Sequence, residues 1–167
     1  MTHLGGKAAA VTAVLLALSG CSASPGSGPL EYEGPEHNEV CVPAVPDTSM
    51  VVGETIAAPD GVEATVIDVT LVDPSNLKLT EASIAPIIDQ SGIGASAYPP
   101  TEEAWTLRRD ATGATLPEDT TSNLLLVLER TGDTSGTASS VQIRYTVGGT
   151  EYVEHGTTSI ELAEACF

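Results

Sequence analysis

The sequence predicts an all-β protein, an antiparallel sandwich of about seven short strands. Three observations predict it. From residue 40 onward, runs rich in Val, Ile, Thr and Leu recur between clusters of Gly, Pro, Asp and Asn, the pattern of strands joined by tight turns. Val141, Ile143, Tyr145 and Val147 alternate with Gln142, Arg144 and Thr146 and run into Gly148-Gly149, a period of two that ends on residues suited to a positive-φ hairpin turn. No stretch joins a helical apolar period to convincing caps.

Residues 1–20 carry the three parts of a secretory signal. Lys7 and the terminal amine give a positive start, Ala8 to Leu18 an apolar run, and Ser19-Gly20 the small residues before a cleavage point. The run is too short to span a hydrocarbon core of about 30 Å, which takes about 20 helical residues. Leu18-Ser19-Gly20-Cys21 resembles the lipobox of bacterial lipoprotein precursors. That resemblance implies diacylglycerol on the Cys21 sulfur and cleavage just before it. The alternative is an ordinary signal peptide with an accidental cysteine. Two acyl chains anchor stably where one binds only marginally. The expected location is the extracytoplasmic face of a cell membrane, held through Cys21.

Residues 21–39 are rich in Ser, Pro and Gly and then acidic, with Glu31, Glu33, Glu36 and Glu39 around Pro35. They read as a flexible linker with a reach of roughly 25 Å. The domain is expected over 40–167. Val40 to Val45 is a first strand that Pro43 and Pro46 confine to an edge. Pro59-Asp60-Gly61 turns into a β-branched strand over Val62 to Val72, and Asp73-Pro74-Ser75-Asn76 turns into Leu77 to Thr80. The apolar phase then shifts to Ala82 and Ile84, which calls for a bulge or a break.

Residues 85–103 repeat nothing and read as a long loop. Trp105 to Arg109 resumes as a strand, closed by Thr112-Gly113. Leu124, Leu125, Leu126, Val127 and Leu128 run unbroken within Ser122 to Arg130, as a strand covered on both faces requires. Across a two-residue turn at Gly148-Gly149, Tyr145 faces Tyr152. Thr158 to Ala163 closes the domain, with Ile160 and Leu162 pointing inward. The expected core includes Val66, Val69, Leu124, Leu126, Leu128, Ile143, Tyr145 and Ile160.

Charge narrows the function. The chain holds 6 basic and 23 acidic residues, for a formal charge of −17. Such a surface repels phosphate backbones, so nucleic acid is not an expected partner. With Cys21 given to lipid, Cys41 and Cys166 remain. An even pair in an exported chain suggests a disulfide; the alternatives are two free thiols or a fragment of a metal site. The sequence contains no G-x-S-x-G, and no clustered Cys and His for zinc. His37 and His155 stand in no recognisable catalytic context. No catalytic residue, cofactor or metal is therefore expected.

The lipobox, the single Trp105, the Gly148-Gly149 hairpin and the terminal Cys166 together resemble small immunoglobulin-like lipoproteins of high-GC Gram-positive bacteria. The resemblance implies an immunoglobulin-like sandwich tethered to the cell surface. The positions of Cys41 and Cys166, at the two ends of the domain, depart from the inner-strand cysteines of true immunoglobulin domains. The expected function is a non-enzymatic binding or structural role in the cell envelope, with an envelope protein as candidate partner. The alternatives are a solute- or metal-binding accessory protein and, third, an envelope hydrolase. The expected contact residues are Ile93, Tyr98, Pro99 and Pro100, because loop 85–103 is long and carries apolar side chains. The competing role for the same loop is a lid folded back over the core.

Overall fold

A computed structural model of the chain describes residues 26–35 and 37–166. The expected signal segment and Cys21 lie outside the described residues. Among those described are thirteen strands and one short helix. In chain order they are β1 (Glu31–Glu33), β2 (Asn38–Pro43), β3 (Ser49–Ala58), β4 (Ala64–Val72), β5 (Leu77–Pro86), β6 (Ala95–Ala97), α1 (Glu103–Thr106), β7 (Arg109–Asp110), β8 (Thr115–Leu116), β9 (Thr120–Arg130), β10 (Gly136–Ala138), β11 (Ser140–Val147), β12 (Thr150–His155) and β13 (Thr158–Ala163).

They form a sandwich. One layer is a six-stranded sheet in the order β1-β3-β9-β5-β7, with β6 also paired to β3. Facing it are a three-stranded sheet, β10-β13-β2, and a four-stranded sheet, β12-β11-β4-β8. Every pairing is antiparallel except β13 with β2, which runs parallel from Thr158↔Asn38 to Ala163↔Pro43. The layers close on one core that contains all eight expected residues, from Val66 to Ile160. The alternation of β11 puts Val141, Ile143 and Tyr145 inward, and Tyr145 pairs with Tyr152 across the Gly148-Gly149 turn with ring centroids 5.8 Å apart. The phase shift in β5 is a bulge between Leu79 and Glu81.

Three expectations are corrected. The acidic linker ends sooner than residue 39: Leu30 is buried, β1 pairs with β3, and β2 begins at Asn38. The charges of Glu31 and Glu33 conceal in the sequence a strand whose inward side chain is Tyr32. Trp105 to Arg109 is not a strand. It is the end of α1, a single turn, followed by the two-residue β7; an apolar segment that short carries no usable period. Third, β3 has no counterpart in the expected strands, although it pairs with β9 over ten residues from Ser49↔Glu129 to Ala58↔Thr120.

The disulfide is present. Cys41 of β2 bonds Cys166 beyond β13, with Cα atoms 5.8 Å apart. Both residues are exposed, so the bond lies on the outside of the three-stranded sheet and ties β2 to the end of the chain.

Candidate interaction surface

β9 carries apolar side chains on both faces because both faces are covered. Leu124, Leu126 and Leu128 face the other layer. Leu125 and Val127 face outward, into a second cluster with Val51, Ala85, Ile93, Ala104 and Trp105. The segment between β5 and β7 supplies that cover. Ile88 and Ser91 exchange backbone hydrogen bonds at 3.2 and 2.8 Å, forming a small turn. Ile93 then sinks to 3 % exposure, and its N–H donates to Asn123 Oδ1 at 2.6 Å. The same buried amide donates from Nδ2 to the Glu54 carbonyl at 3.0 Å. Asn123 thus spends both ends of its side chain fixing the segment to the sheet. Gly53 completes the fit, since a Cβ there would collide with the Ile93 carbonyl oxygen.

Of the four expected contact residues, Ile93 and Pro100 are buried and Tyr98 and Pro99 are exposed. Ile93 is therefore corrected from a contact residue to a core residue, and Pro100 likewise belongs beneath the surface. Apolar side chains in a connection pack against whatever uncovered sheet lies beneath them, and Leu125 and Val127 provide it. The segment is the lid on a second core.

Tyr98 is left at the rim, 44 % exposed. Its ring meets Trp105 edge-on at 5.7 Å and 88°. The Arg108 guanidinium lies 3.7 Å from the Trp105 ring centroid and pairs with Glu81 at 3.1 Å. Across from Tyr98 stands Val45, 55 % exposed, in the connection from β2 to β3. Val45, Pro43, Met50, Ala97, Tyr98 and Glu164 are among the residues lining a groove of about 450 Å³. Two of the three large apolar side chains exposed among the described residues, Val45 and Tyr98, share it. A second hollow of about 560 Å³ lies over the disulfide, between Glu39 and Glu161. Sequence reasoning found Tyr98 and missed Val45. Its only signal is a valine between Pro43 and Pro46, which prevent its strand from continuing inward.

The perturbed titratable groups lie elsewhere. Glu54 points between the layers, and burial pushes its carboxyl up to about 7, while a hydrogen bond from Thr158 pulls the other way. Beside it the buried Tyr32 hydroxyl is pushed upward by desolvation, then by the charges of Glu54 and Glu154. The described residues contain no group of three His, Cys, Asp or Glu placed to hold a metal ion. No helix among them is long and apolar enough to cross a membrane.

No protein-family model matches the chain, and no curated protein matches it. Among solved structures it is similar to one titled "Structure of Vibrio cholerae VesB protease", at 10 % identity and a TM-score of 0.40. The match covers 81 % of this chain and 32 % of that one, so the chain spans about a third of that protein's length. Likeness of this degree fixes neither fold nor activity.

Proposed function

We propose that the chain is a lipoprotein precursor whose mature form is held through Cys21 on the extracytoplasmic face of a cell membrane, and that its sandwich has a non-enzymatic binding or structural role in the envelope. The observation that carries this reading is the Cys41–Cys166 disulfide. With both cysteines exposed, the bond is open to the reductants that keep cytosolic thiols reduced, so it persists in an oxidising compartment. The lipobox at Leu18 to Cys21 names the route to that compartment.

The interior supports the non-enzymatic role. Glu54, whose carboxyl burial pushes up to about 7, faces the core between the layers and is buried there. What the surface offers is contact area, at Val45, Tyr98 and Pro99.

The test is metabolic labelling with a radioactive fatty acid in a bacterium that exports the chain. The native chain should carry label and sediment with membranes. Cys21→Ser should carry none and remain unprocessed by the lipoprotein route. Label retained by Cys21→Ser would sink the reading.

A further inference from the structure

The groove beside Tyr98 has a backbone feature that determines what fits it. β6 covers one stretch of the β3 edge, in the register Met50↔Ala97, Val51↔Ser96 and Val52↔Ala95. Gly53 N–H donates to the Gly94 carbonyl at 2.9 Å, and Tyr98 N–H to the Ser49 carbonyl at 3.3 Å. Antiparallel strands alternate between residues that bond the partner and residues that do not. Gly94, Ser96 and Tyr98 therefore face β3. Ala95 and Ala97 turn their N–H and C=O groups the other way, and β6 has no second strand partner among the described residues. The Ala97 carbonyl receives only the Ser96 hydroxyl, at 3.2 Å. Both alanines are exposed.

Unpaired strand edges are normally blocked. The outer strand β2 carries Glu39 and Pro43. β12 is partly covered, since Val153 N–H donates to the Gly26 carbonyl at 3.1 Å. The far side of β10 is bridged at Ser75↔Thr137. β6 has the sequence Ala-Ser-Ala, with no charge, no proline and no side chain large enough to bar an incoming backbone. The groove that reaches Ala97 has apolar walls from Pro43, Val45 and Met50, with a carboxylate, Glu164, among its lining residues. The whole chain is formally −17.

We propose that the open edge of β6, with the Val45–Ala97 groove beside it, takes up an extended peptide segment of alternating apolar and basic residues by β-strand addition. Backbone groups of the incoming strand bond Ala95 and Ala97. Its apolar side chains lie toward Val45 and Met50, and its cations, on the opposite face of the strand, answer the surrounding negative field. The proposal deepens the binding role argued above and rests on it. It is independent of the lipid, so its failure would leave the anchor at Cys21 standing.

The test uses the exported chain in detergent micelles and three fluorescein-labelled probes of about seven residues. The first alternates valine and lysine, the second is the same peptide with N-methyl groups on alternate backbone nitrogens, and the third alternates valine and glutamate. Anisotropy should show the valine–lysine probe binding at least about tenfold more tightly than either other probe. Hydrogen exchange should show new protection at Ala95 and Ala97. Glu164→Lys, an exposed substitution that leaves the fold alone, should weaken the valine–lysine probe several-fold. Equal binding of the N-methylated probe would overturn the proposal in favour of plain charge attraction. So would protection confined to another edge, or no binding at about 1 mM. Protection of Ala95 and Ala97 without any peptide would overturn it too: it would assign the edge to a second copy if concentration-dependent, and to a segment of the same chain if not.

Discussion

On the inner face of β9, Leu124, Leu126 and Leu128 are enclosed by strands of both layers, whereas on its outer face Leu125 and Val127 are covered by a single connecting segment. The inner core is held by ladders along its whole length and by a disulfide at its rim. The outer one is held by Asn123, by the close approach at Gly53 and by one turn of helix. Both bury their leucines completely, so burial alone does not distinguish them. The difference lies in how much backbone must open to expose each. A segment with few ladder bonds opens locally at low cost, while the inner face opens only with the domain. The lid is thus the region from which a contact surface can be built without disturbing the core.

The largest expected effect tests the rim of the inner core. Replacing Cys41 and Cys166 by Ser removes a cross-link over 125 residues, worth up to about 5 kcal/mol in the chain-entropy model. Denaturant titration of the disulfide-bonded domain should show that loss, with the lid's own exchange rates rising no further than the global loss requires. Next come the two faces of β9. Leu126→Ala should lose about 2–5 kcal/mol, and Leu125→Ala should fall toward the low end of that range because the lid can settle into the space. Equal losses would break the distinction between the cores.

A smaller effect depends on pH. The Glu54 carboxyl, ordinarily near 4.5, is raised to about 7 in the folded chain by burial. The folded state therefore holds the proton more tightly than the unfolded one. Stability from this group is fully present below the ordinary value and is lost as pH rises toward about 7, to a limit of about 3 kcal/mol. Unfolding free energies at a series of pH values should decline across that window, and Glu54→Gln should flatten the decline. A rise in stability across the same window would contradict the placement of Glu54 in the core.

Asn123→Ala leaves the Ile93 N–H and the Glu54 carbonyl without their buried partner, at a cost of about 1–3 kcal/mol. Its signature should be local: faster amide exchange at Ile93 and its neighbours, with β11 unchanged. Tyr98→Ala is the mildest, since its edge-on contact with Trp105 is worth about 0.5–1.5 kcal/mol at most and the ring is half in solvent. A Tyr98→Ala domain that unfolds would show that the rim belongs to the core after all.

These contrasts also mark what could be read from residues. The unbroken Leu124 to Leu128 run states that β9 is covered twice, and the alternation from Val141 to Val147 states that β11 is covered once; both are patterns of single strands. β3 escaped because Gly53 and Glu54 interrupt its pattern, and each is there for a tertiary reason, the approach of Ile93 and the Thr158 hydroxyl. β1 escaped behind its own glutamates. Apolar residues in 85–103 are visible in the sequence, but whether they face a partner or Leu125 depends on which sheet face lies beneath, and that is settled by the fold. Tyr98 was therefore legible as an exposed candidate, and its neighbour across the groove, Val45, was not.

The proposed export and lipid anchor, and the disulfide with them, are read in the intact mass of the mature chain recovered from membranes. The expected species is a polypeptide that begins at Cys21, carries diacylglycerol on that residue, and is two hydrogens lighter than its dithiol form because Cys41 and Cys166 are joined. A chain that begins at Met1, a chain cut elsewhere without lipid, or a mass that retains both thiol hydrogens would contradict it.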